Sequence, residues 1–186
     1  KKPEELKKKY SNDFIKKSAL LSLKPRIIVC NVDEKSLPNG NKYSDACKKK
    51  FPDENIIIVC ADIEDQIMGL QANDRKDFML ESGIKSTGLD NLIKTGYGAL
   101  GLSTFFTSGP EESRAWTIGK NSKASDAAGV IHTDFKKKFI RAETVTSEDF
   151  IKYKGFNECK NAGKLRLEGK DYLVNDGDVM YFRVGN

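Results

Sequence analysis

Two short apolar runs, IIVC at 27–30 and IIIVC at 56–60, are unbroken and rich in β-branched residues. Runs of this kind predict strands covered on both faces of a parallel sheet, where no alternating polar face is needed. Residues 42–51 between them have room for one short helix, so this part reads strand, loop, helix, strand. Upstream, Leu6, Tyr10, Phe14, Leu20, Leu21 and Leu23 form a rough helical stripe among lysines over residues 4–23, which Pro25 ends. Downstream, Ile63, Ile67 and Leu70, and then Leu89, Leu92, Ile93, Tyr97 and Leu100, recur at helical spacing. Asp62 and Asp90 stand near the two helix starts, where a carboxylate suits the helix dipole, and Gly101 stands just past the second end. From residue 103 the texture changes to short strands divided by Gly, Asn and Asp, at 103–107, 115–118, 139–145, 164–167, 172–174 and 179–184. Helical patches at 125–135 and 148–162 interrupt them, which indicates an α+β domain after a tight junction at 101–103.

Composition narrows the function classes. No apolar run approaches the length of a membrane span, and residues 1–17 are too polar for a secretory signal, so a soluble cytoplasmic protein is expected, with no membrane partner. The four cysteines form no C-x-x-C pair and His132 is the sole imidazole, so no zinc spacing is present and reduced thiols are expected. Cys30 and Cys60 lie inside apolar runs, where a free cysteine behaves as a small hydrophobe. The net charge of +5 divides into +4 over residues 1–23, −1 over 24–103 and +2 over 104–186. A surplus this small does not by itself imply nucleic acid.

Candidate chemistry begins at the end of the first apolar run. Asn31, Val32, Asp33 and Glu34 stand where nucleotide-binding proteins of the GTPase type carry N-K-x-D, whose Asp accepts two protons from guanine. Alone, N-x-x-E also reads as a plain strand-end turn. The second run ends at Cys60 and Ala61, where GTPases place a Ser-Ala pair whose amides meet the base. Two strand ends at the carboxyl edge of a parallel sheet are a usual ligand site of α/β folds.

A longer set of motifs carries a resemblance: LKPRIIVCNVDE at 23–34, FFTSGP at 105–110, ESRAWTI at 112–118, AAGVIHTDF at 127–135, FIRAE at 139–143, AGKLRLEGKDY at 162–172 and DGDVM at 176–180. Over essentially its whole length the chain resembles the carboxy-terminal part of the YchF (Obg-like) P-loop NTPases. That resemblance implies the carboxy-terminal remnant of a P-loop parallel sheet with helices, followed by a ubiquitin-like β-grasp (TGS) domain. It divides the chain into the end of a helical insertion (1–23), the last part of the nucleotide domain (24–103) and TGS (104–186). In this family N-x-x-E goes with preference for ATP over GTP. Val32 offers no lysine stem across a base, and Glu34 is a methylene longer than the guanine-gripping aspartate. The implied base-binding residues are Asn31, Val32, Glu34, Cys60 and Ala61. ATP or GTP with Mg is the cofactor expected in a full-length parent, with none bound tightly by this chain.

No G-x-x-x-x-G-K-[ST] run occurs, since Gly119-Lys120, Gly163-Lys164 and Gly169-Lys170 lack both the earlier glycine and the following hydroxyl. No catalytic or metal-binding residue is therefore assigned, and the chain is expected to be inactive by itself. TGS domains also occur in threonyl-tRNA synthetases and stringent-response enzymes, which implies RNA or the ribosome as partner. Lys136, Lys137, Lys138, Arg141, Lys164, Arg166 and Lys170 are the candidate phosphate contacts, and Trp116 and His132 are candidate stacking groups. Against these stand a solvated turn for Lys136 to Lys138, a core position for Trp116 and a structural role for His132. A stand-alone RNA- or protein-interaction module with no nucleotide role is the alternative function.

Overall fold

The computed structural model describes residues 8–84 and 86–185, with the side chains of Asn12, Asp13 and Lys16 left aside. The chain divides between Leu100 and Gly101 into two compact units.

In the first unit, helix α1 (Asn12–Ser18) starts where the Ser11 hydroxyl accepts from the Phe14 amide, and ends at Ala19 in the left-handed region at φ 53°. The stripe expected over 4–23 is thus interrupted, with residues 8–9 helical, a break at Tyr10 and Ser11 before α1, and Leu21–Leu23 in a separate 3-10 turn. Residues 4–7 of that stripe lie outside the described residues. Strand β1 (Ile27–Asn31) pairs in parallel with β2 (Asn55–Val59), from Ile27 opposite Asn55 to Asn31 opposite Val59. Between them α2 (Lys42–Lys50) begins with a capping box, in which Asn41 accepts from the Ser44 amide and the Ser44 hydroxyl accepts from the Asn41 amide. Then follow α3 (Ala61–Gly69), α4 (Ala72–Glu81) and α5 (Gly88–Leu100). The core is Cys60, Ile63 and Ile67, with Leu37, Phe78, Met79 and Ile84 packed against it.

Burial on both faces of these strands, expected from their unbroken apolar runs, is not found. β1 contains no buried residue, and Val29 remains 44% exposed. With two strands, the sheet has too few neighbours to cover both faces. Glu64 of α3 reaches the start of α5, its carboxylate accepting from the Gly88 amide at 2.5 Å and the Leu89 amide at 3.3 Å. This places a negative charge where the unpaired N–H groups and the dipole of α5 favour one.

The second unit is a five-stranded mixed sheet with helices on its faces. Its strands are β3 (Leu102–Ser108), β4 (Ser113–Gly119), β5 (Phe139–Thr146), β6 (Arg166–Glu168) and β7 (Asp178–Val184), in the order β4-β3-β7-β5-β6. β3 and β7 are parallel and the other neighbours antiparallel. Alternation along the strands sends Phe105, Ile118, Ala142, Met180 and Phe182 to one core, where Ala124, Ala127 and Ala128 of α6 (Ala124–Ile131) join them. A smaller core opposite contains Val145, Val179 and Cys159, with Phe150, Tyr153 and Phe156 packed on it. These aromatics come from α8 (Ser147–Tyr153) and α9 (Phe156–Asn161).

Each expected long helix in this unit is two. His132 separates α6 from α7 (Thr133–Lys137) by capping the latter, its Nδ1 accepting from the Asp134 amide at 3.2 Å. Lys154 at φ 63° and Gly155 at φ 139° separate α8 from α9. The strand expected at 172–174 is reduced to a single bridge between Lys123 and Leu173.

Candidate functional site

The parallel register brings Asn31 beside Val59 at the carboxyl ends of β1 and β2, and the Val32 amide donates to the Val59 carbonyl at 2.8 Å. The Asn31 side chain crosses from β1 to the start of α3, its Oδ1 accepting the Ala61 N–H at 3.0 Å. The next carboxylate, Asp33, folds back to accept from the Ser36 amide at 3.0 Å and the Ser36 hydroxyl at 2.8 Å. Glu34 is exposed, and its carboxylate has no hydrogen bond or ion pair among the described residues. All five residues expected to meet a base therefore gather at one strand-end edge, in three different states. Glu34 and the Asn31 amide nitrogen are open to a ligand. Val32 is buried, at 8% exposure. The Ala61 amide, expected to face a base, is already held by Asn31. Cys60 is 2% exposed against Ile63 and Ile67, so its thiol packs in the core and only its backbone lies at the edge.

All four thiols are free. Burial pushes the Cys30 thiol up, with the hydrogen bond to Cys47 adding to it, and burial likewise pushes up Cys159. The described residues contain no cluster of three or more His, Cys, Asp or Glu side chains suited to a metal, and no helix long and apolar enough to cross a membrane.

The seven basic candidates of the second unit do not form one set. Lys136 is paired with Asp126 at 2.7 Å, and its stem lies against Gly129. Arg166 is paired with Asp178 at 3.0 Å and Glu168 at 3.7 Å. Lys136 thus has an exposed partner, whereas Arg166 is held by the buried Asp178 carboxylate. Lys137, Lys138 and Arg141 cluster where β5 begins. The β5–β6 register, with Glu168 opposite Ala142, carries Lys170 toward the same end. Lys164 precedes Arg166, which faces Thr144, and so lies toward the opposite end of β5. Trp116 is half-buried, donating from Nε1 to Thr107 Oγ1 at 2.9 Å, with the Arg114 guanidinium 4.4 Å from its ring centre. His132 is the exposed cap of α7.

Sequence reasoning misses the network around Asp178, which is 2% exposed. Its carboxylate accepts from Arg166, from the Tyr172 hydroxyl at 2.8 Å and from the Asn175 amide at 2.9 Å. Burial, with the Asp178 carboxylate beside it, pushes the Tyr172 hydroxyl up. An aspartate inside the strand pattern D-V-M-Y-F is the available sign, since a carboxylate there needs partners.

Residues 102–185 match the family described as YchF-GTPase_C, Protein of unknown function (DUF933). The chain is 48% identical over 171 residues to the Ribosome-binding ATPase YchF of Haemophilus ducreyi, covering 91% of this chain and 47% of that protein. It is 47% identical over 174 residues to the Ribosome-binding ATPase YchF of Bacillus subtilis, covering 91% and 48%. Among solved structures, the Schizosaccharomyces pombe YchF GTPase superimposes with a TM-score of 0.77 at 35% identity, covering 94% of this chain and 48% of that one. The chain thus spans about half the length of the relatives it matches.

Proposed function

Because the chain belongs to the YchF family of Obg-like ATPases, as its carboxy-terminal part, we propose that it supplies the base-recognition half of an ATP- or GTP-binding site and a module that engages the ribosome or its RNA. In this reading residues 1–23 end a helical insertion, 24–103 close the nucleotide domain and 104–186 are the TGS domain. The half-exposed Val29 on a two-stranded parallel sheet fits a piece of a wider sheet.

One observation carries the nucleotide reading: the Asn31–Ala61 clasp fixes the strand-end loop while leaving the Glu34 carboxylate unpaired beside it. The Asn31 amide nitrogen then reads a ring nitrogen, and a strand-end carbonyl such as that of Val32 accepts the exocyclic amine of adenine. Replacing the guanine-gripping aspartate removes one charged hydrogen-bond pair, roughly 1.5 to 3 kcal/mol, so GTP binding is weakened and not abolished. The residues present fit a base but offer no cradle for phosphates or magnesium. ATP or GTP with Mg would supply the phosphoryl chemistry to a full-length protein, and this chain's share is to bind and orient the base.

In a full-length YchF protein carrying these residues, Val32→Lys with Glu34→Asp should move the ATP-to-GTP affinity ratio toward GTP. An unchanged ratio in a nucleotide titration refutes the reading.

For the second unit, Lys137, Lys138, Arg141 and Lys170 are the proposed phosphate contacts, supported by their common end of the sheet and the ribosome-binding names of the relatives. Replacing Lys137 and Lys138 with Ala should lower the salt slope of RNA binding by roughly 0.7 to 0.9 for each phosphate no longer neutralised. The alternative, an interaction module whose first unit is only a mount, is favoured by one detail. The Ala61 amide is already held by Asn31 and offers no donor to a base.

A further inference from the structure

The sheet of the second unit is split on one side of its central strand. β3 continues to Ser108 and β7 to Val184, yet the two pair only at Phe106 and Val179. β3 ends at Ser108, level with Tyr181 in this register, so beyond Tyr181 the backbone N–H and C=O groups of β7 that point away from β5 face no strand among the described residues. The gap is a cleft of about 440 Å³, with Trp116, Ile131, Phe135 and Met180 among its walls and Glu111 and Glu112 at its rim. Neither glutamate has an ion pair or side-chain hydrogen bond among the described residues, and both are exposed. The Arg114 guanidinium lies over the Trp116 ring.

These features select one class of occupant. Unpaired edge groups on a strand are satisfied by another extended backbone. Aromatic walls accept the apolar stem of a long side chain, and two unpaired carboxylates at the mouth favour a cationic tip while repelling phosphate. We propose that this cleft binds an extended protein segment bearing a lysine or arginine, which adds as a strand to the free edge of β7 and passes its cation between Glu111 and Glu112. The edge runs beside the lysines at the start of β5, since Val184 lies opposite Phe139 and the Gly185 N–H donates to the Lys138 carbonyl.

Trp116 is the sole tryptophan of the chain and reports on the cleft directly. The full chain is titrated with an end-blocked heptapeptide alternating valine and lysine. A valine–glutamate heptapeptide and a short oligouridylate serve as comparators, with Trp116 fluorescence and amide hydrogen exchange as readouts. The valine–lysine peptide should change the fluorescence saturably and slow exchange within Phe182–Val184. The same peptide N-methylated at alternate amides should not. Glu111→Gln with Glu112→Gln should weaken binding about fivefold or more at low salt while leaving thermal unfolding in place. No response to the valine–lysine peptide, equal binding of the valine–glutamate peptide, indifference to the Gln variants, or a stronger Trp116 response to oligouridylate would each overturn the proposal.

Discussion

The Arg166 guanidinium reaches across β5 to the Asp178 carboxylate at 3.0 Å, joining an edge strand to the central one through a charge that is 2% exposed at its acidic end. Asp178 is also held by Tyr172 and Asn175, so removing the carboxylate strands three donors, whereas removing Arg166 strands one acceptor that keeps two partners. Asp178→Ala should therefore cost about 3 kcal/mol or more, and Arg166→Ala, whose side chain is 41% exposed, clearly less. Urea denaturation of both variants checks the order, and equal losses would contradict it.

Tyr172 gives the same network a pH dependence. Burial and the Asp178 carboxylate raise its hydroxyl above the ordinary value of 10.0. Its contribution to stability is then complete below pH 10.0 and is lost as pH rises through the folded-state value. Tyr172→Phe should be less stable at neutral pH, and its stability should fall less steeply under alkaline conditions than that of the unsubstituted chain. Parallel curves for the two proteins would show that Tyr172 ionises normally.

Thr144 is fully buried on β5, and its hydroxyl oxygen has no hydrogen-bond partner among the described residues. Replacing it with the near-isosteric Val removes an unsatisfied polar atom without opening a cavity. Thr144→Val should be neutral or stabilising by about 1 kcal/mol in a denaturant titration. A loss of that size would mean the hydroxyl is satisfied in solution.

At the start of α5 no side chain beyond hydrogen fits. A Cβ on Gly88 would lie 2.6 Å from Val59 Cγ1 and 2.9 Å from Glu64 Oε1. Gly88→Ala should therefore displace the Glu64 carboxylate and destabilise the first unit. Glu64→Ala should cost about 1.5 kcal/mol through its two charge-assisted hydrogen bonds. In thermal unfolding of the double variant the effects should fall short of additive, because both substitutions act at one place.

Much of the fold is legible because local pattern and final environment agree. Ile27 to Asn31 and Asn55 to Val59 are β-branched runs, and strands form there. α4 is not legible because ANDRKDFMLE has no apolar period, and its anchors, Phe78 and Met79, adjoin in sequence. The breaks at His132 and at Lys154-Gly155 depend on one cap and on left-handed backbone, neither of which interrupts the apolar spacing. At the candidate site, Asn31 stands out through the N-x-x-E pattern. The Asn31–Ala61 bond does not, since it depends on two strand ends thirty positions apart being brought level. Arg166 looks like a free cation in sequence because its partner lies beyond an intervening strand.

The strand order also sets a timetable. β7 is flanked by β3 and β5 although it is the last of the described strands to leave a ribosome. The β3–β4 hairpin can close on itself early, but the sheet around Phe105, Met180 and Phe182 cannot assemble until the seven residues of β7 are free of the exit tunnel. Until then Phe105 and Ala142 face a vacancy, and a nascent chain halted a few residues short would hold two edges without a centre. The second unit therefore forms only once β7 joins it, and a chain stalled or clipped before that strand is an open template for others.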